Sequence, residues 1–77
     1  MYVIKEKEGR KRYLCKHVGY DCLLEKPSSE KLIYKFRSVN KAMQHLQNYI
    51  DRFNKHNSKK TKHENFKIEE NINYGRS

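Results

Sequence analysis

The feature that most narrows the fold is an amphipathic stripe late in the chain. Val39, Ala42, Met43, Leu46, Tyr49, Ile50 and Phe53 recur at offsets of 3, 4, 7, 10, 11 and 14 from Val39. That is the spacing of one face of a helix with 3.6 residues per turn. Ser38 stands just before the stripe, where a hydroxyl accepts a bond from a free backbone N–H. Asn40, Lys41, Gln44, Gln47, Asn48, Asp51 and Arg52 fill the other face. The pattern predicts one helix from Ser38 to about Asn54. Such a helix has to bury its stripe against another layer.

The preceding residues supply strands. Tyr2 to Lys7 alternates, and Glu8-Gly9-Arg10 reads as a tight turn because Gly accepts positive φ. Lys11 to Val18 is a second strand. After Gly19-Tyr20-Asp21, the run Cys22–Glu25 is a short continuation, either a strand of its own or the far side of a bulge. Lys26-Pro27-Ser28-Ser29 is a turn. Glu30 to Arg37 carries the strongest strand pattern. The short connections imply antiparallel neighbours.

The expected fold is therefore α+β, a small antiparallel sheet of three or four strands packed on one C-terminal helix. The domain spans 1–54. Residues 55–77 open with KHNSKKTKH, which is polar, basic and aperiodic, and predict a flexible basic tail. Phe66, Ile68, Ile72 and Tyr74 within it are too few to fold alone.

The strand parities divide the sheet into two faces. Tyr2, Ile4, Tyr13, Cys15, Leu32, Tyr34 and Phe36 form the expected core side. Lys5, Lys7, Arg12, Lys16, Lys35 and Arg37 form an uncovered basic side, with Leu14, Val18 and Ile33 between them.

Composition sets the class of partner. The chain has 77 residues, with 18 Lys and Arg against 9 Asp and Glu, a formal charge of +9. One small domain is the ceiling, so surface recognition is expected rather than a deep pocket. The charge favours nucleic acid, anionic lipid or an acidic protein surface. No apolar run approaches the ~20 residues of a membrane span. The N-terminal residues lack the apolar core of a signal peptide. A cytoplasmic protein with free thiols at Cys15 and Cys22 is expected.

Catalytic and metal chemistry find little support. Cys15, His17 and Cys22 are suitable zinc ligands, yet C-x-H-x4-C is not a paired ligand spacing. No nucleophile–base pair or carboxylate cluster converges. A membrane-surface helix would need more cations than Lys41 and Arg52. No enzyme activity, cofactor or metal is expected.

Nucleic acid fits the basic side of the sheet best. The expected contact residues are Lys5, Lys7, Arg12, Leu14, Lys16, Ile33, Lys35 and Arg37, joined by Lys59, Lys60 and Lys62 from the tail. Two stretches, GRKRYLCKHVG and EKLIYKFRSVNKAMQHL, carry a resemblance. With Gly9 and Tyr13, Phe36-x-Ser38, and Ala42 with Leu46, residues 2 to 50 resemble the small DNA-binding domains built from three strands and a helix. These include the arm-binding domains of tyrosine integrases and the plant AP2-type domains. The resemblance implies DNA binding. A free-standing chain rich in Lys, Asn and Ile also resembles the small early proteins of bacteriophages. That likeness implies a modulator of a host replication, transcription or protease enzyme, acting in the host cytoplasm. Leu14, Val18, Ile33 and Tyr20 would then be the anchors on an acidic host protein. Open sheet edges also leave room for a homodimer.

Overall fold

Ser38 caps the helix as its chemistry requires. It sits in extended backbone, and its side chain accepts the Lys41 N–H at 3.2 Å. The computed structural model describes residues 1–17 and 19–70. In chain order these form β1 (Tyr2–Glu6), β2 (Tyr13–His17), β3 (Tyr20–Leu24), a 3-10 turn (Glu30–Leu32), α1 (Val39–His56), a second 3-10 turn (His63–Asn65) and β4 (Phe66–Glu70). The strands make one antiparallel sheet in the order β3-β2-β1-β4. The fold is α+β, with a four-stranded antiparallel sheet and one helix.

The helix is not the last element. β4 follows it and pairs with β1 along its whole length, from Tyr2↔Glu70 to Glu6↔Phe66. The segment expected to be a flexible tail thus returns to the sheet as far as Glu70. Phe66 buries its ring in the core and Ile68 packs beside it. Two apolar residues cannot form a core, but they can complete one that already exists. Val18, Ile72 and Tyr74, each noted above, lie outside the described residues.

α1 covers one face of the sheet. Ala42, Leu46, Tyr49 and Ile50 pack with Ile4, Leu14 and Phe66. Phe53 is half-buried in the same cluster. Val39 and Met43, at the start of the stripe, stay 41% and 48% exposed.

The second face is not the open basic surface that parity suggested. Val3, Cys15 and Ile33 are buried there, flanked by Tyr13, Cys22, Leu24 and Leu32. The reason lies in the register. β1 meets β2 at Lys5↔Tyr13, and directly opposed residues share a face. Leu14 therefore joins Ile4 under the helix, and Cys15 joins Val3 on the far side. The assignment of β2 is inverted by one residue, which flips every side chain.

The expected strand at Glu30–Arg37 is also replaced. Its first residues form the 3-10 turn. The rest enters between β1 and β2, which pair directly only at Lys5↔Tyr13. Ile33 bridges Cys15, Phe36 bridges Tyr2, and the Tyr34 N–H donates to the Leu14 carbonyl at 3.2 Å. This wedge satisfies its alternation by touching both cores. Ile33 enters the far cluster, while Tyr34 and Phe36 join the helix side.

Candidate nucleic-acid interface

Two loops meet at one end of the molecule. The first joins β1 to β2. The Glu6 N–H donates to the Arg12 carbonyl at 3.0 Å. The Glu6 carboxylate accepts from Arg12 three times, from the backbone N–H at 2.9 Å, Nε at 2.8 Å and Nη2 at 3.1 Å. The Arg12 side-chain bonds hold the Glu6 carboxyl below the usual carboxylate range. Between these residues the chain turns through Gly9 at φ 74° and Lys11 at φ 53°. The turn needs left-handed backbone, which Gly gives freely and Lys does not. Lys7, Arg10 and Lys11 are exposed on it.

The second loop joins α1 to β4. Asn54 fixes it, donating through Nδ2 to the Thr61 carbonyl at 3.0 Å and accepting the Thr61 N–H at 2.8 Å. Lys60 Nζ donates to the carbonyls of Asn54 and Asn57, the latter at 3.2 Å. A cation there satisfies helix-terminal oxygens and opposes the helix dipole. The Lys7 N–H donates to the Asn65 carbonyl at 3.0 Å, tying the two loops together. Lys59 and Lys62 are exposed on this second loop, and Lys55 on the last turn of α1 that leads into it.

The result is a polar molecule. Residues 6–12 and 55–64 hold eight Lys and Arg against three Glu. Six of the cations, Lys7, Arg10, Lys11, Lys55, Lys59 and Lys62, are exposed. Between the loops lies a cleft of about 420 Å³. Tyr49, Phe53 and Phe66 form its aromatic wall, and Glu6, Arg12 and Asn65 its polar side.

The expected contact residues scatter. Lys7, Lys59, Lys60 and Lys62 converge at this end, although Lys60 is occupied by the helix terminus. Lys5 lies on the far face with its ammonium 4.9 Å from the Tyr13 ring centroid. Arg12 is engaged by Glu6, so a phosphate would have to displace charge-assisted bonds. Leu14 at 0% and Ile33 at 4% exposure are core residues, not anchors. Exposing either would forfeit roughly 1.5–3 kcal/mol of burial. Lys16 is exposed opposite Asp21, Lys35 is half-buried in the wedge, and Arg37 is exposed before the helix. Arg10, Lys11 and Lys55 were missed. The signal for the first two was present, since they flank the Gly9 turn and so belong to a loop rather than a strand face.

A second polar cluster sits at the edge of the helix layer. Asp21 on β3 accepts Tyr34 Oη at 2.5 Å and Arg52 Nη2 at 2.8 Å. Burial, then the bond to Asp21, pushes the Tyr34 hydroxyl up to about 12. His45 packs on the Tyr34 and Phe36 rings at centroid distances of 4.3 and 5.2 Å. Its Nε2 lies 3.2 Å from Asp21 Oδ2 but lacks hydrogen-bond geometry. The cluster joins β3, the wedge and α1, which is a structural role.

Cys15 and Cys22 oppose each other across β2 and β3 as free thiols. Burial pushes Cys15 up to about 11 and raises Cys22 as well. Both are thiols rather than nucleophilic thiolates near neutral pH. Among the described residues no three of His, Cys, Asp and Glu are placed to hold a metal ion. No helix among them is long and apolar enough to cross a membrane. In comparisons with known proteins, the chain matches no family model, no curated protein and no solved structure.

Proposed function

We propose that this protein binds nucleic acid, without catalysis, through its basic end rather than through a face of the sheet. One observation carries the reading. Six exposed cations lie around one end of the fold, three from the β1–β2 loop and three, more than forty positions later, from the last turn of α1 and the loop after it. Bonds within each loop, and the Lys7–Asn65 backbone bond between them, hold the two segments together. Such a cluster attracts phosphates and releases counterions on binding. Both faces of the sheet carry apolar clusters, so neither is the open basic surface that the strand parities suggested.

The test compares two pairs of substitutions that remove equal charge. Lys11→Gln with Lys59→Gln strips the basic end. Lys16→Gln with Lys41→Gln strips the opposite end, where β2 finishes and α1 begins. Fluorescence anisotropy on a labelled oligonucleotide at low salt reads both. The first pair is expected to weaken binding about tenfold or more, and the second far less. Equal losses would leave only a diffuse charge effect. No binding to any single strand or duplex would overturn the reading.

A further inference from the structure

We propose that the cleft at the basic end receives one base of a single-stranded nucleic acid. This rests on the reading above and sharpens it. The argument starts from a contrast in charge. Lys7, Arg10, Lys11 and Lys62 are positioned on the loops that flank the cleft and suit a phosphate chain. The cleft itself is lined by three carboxylates, Glu6, Glu8 and Glu64, against two cations, Lys7 at its rim and Arg12, which is already bound to Glu6. A phosphate is disfavoured inside and favoured outside. The occupant that combines an uncharged insert with flanking anions is a nucleotide within a strand.

The interior matches a base in shape and chemistry. Its volume of about 420 Å³ exceeds that of a purine ring. It falls within the roughly 300–1,000 Å³ of ordinary ligand sites. Phe53 is half-buried and stands beside the buried Tyr49 at a ring-centroid distance of 6.0 Å. Its incomplete cover gives it the free surface on which a base stacks. The carboxylate side accepts hydrogen bonds from exocyclic amino groups. A duplex keeps its bases stacked and paired, so the cleft selects unpaired strands.

The probes are oligo(dC) and oligo(rC) of about 12 nucleotides, within the span a small domain covers. The control is an abasic strand of the same length, which has the same phosphates and no bases. The intact strand is expected to bind about tenfold tighter than the abasic one, the scale of one stacking contact. The deoxy and ribo arms identify which strand is preferred. Phe53→Leu keeps an apolar filler but removes the stacking ring. It should close the gap between intact and abasic strands and leave abasic binding unchanged. Circular dichroism of the variant confirms that the helix is retained. Equal binding of intact and abasic strands would overturn the base pocket while leaving the phosphate contacts standing. So would a gap that survives Phe53→Leu. Absence of binding by every strand would overturn both.

Discussion

Glu6 and Arg12 close the β1–β2 loop through one backbone and two side-chain bonds to the carboxylate. The Arg12 side chain is 36% exposed and that of Glu6 18%, so water screens the pair only in part. Its contribution should be about 1 kcal/mol, above an exposed surface pair and below a buried one. The sign of its pH dependence follows from the direction of the shift. Glu6 titrates lower in the folded chain than in the unfolded one. Its stabilisation is complete above the unfolded carboxyl value and lost as pH falls through the folded value. Glu6→Gln should therefore lower stability by about 1 kcal/mol at neutral pH and by less near pH 3. Urea unfolding at the two pH values reads this. An equal loss at both would mean that the charge is irrelevant.

At the scale of elements, β4 is the least expected piece and the most consequential. It pairs with β1 over five residues and places Phe66 beneath the helix. The Phe66 ring meets Tyr49 edge-on at 6.2 Å. Phe66→Ala should cost about 3 kcal/mol or more, the usual loss for a buried ring. A domain of this size has on the order of 4–12 kcal/mol in total. Truncation after Thr61 also removes Ile68 and bares the edge of β1. The truncated chain should lose its cooperative thermal transition by circular dichroism. If it melts as sharply as the full chain at the same temperature, β4 is dispensable to the fold.

For the whole molecule, the distribution of charge matters more than its total. Six exposed cations cluster at one end, near the cleft. If all six met phosphates, log affinity for a single strand should fall against log salt with a slope of roughly −4. Removing Lys11 and Lys59 should flatten that slope by about 1.4. A slope near zero in the intact protein would show that phosphates are not the contact. Legibility follows the same division by scale. The helix, its Ser38 cap, the antiparallel pairing and the basic field could be read from local patterns. Leu14, Cys15 and Ile33 could not be placed, because the sheet buries apolar residues on both faces.

The sequence by itself determined the helix, the strand-forming stretches and the excess of cations. Each rests on periodicity or on a local side-chain bond. Tertiary structure decided the rest. The Lys5↔Tyr13 pairing chose which residues of β2 face the helix, since alternation fixes two faces without naming the inner one. The wedge and β4 depend on gaps and edges that exist only after other strands have paired. The stretch from Arg10 to His17 therefore divides opposite to the expected parity: Arg12 and Leu14 toward the helix, Tyr13 and Cys15 away from it. The basic end arises in the same way, from two loops distant in sequence that the β1–β4 pairing brings side by side.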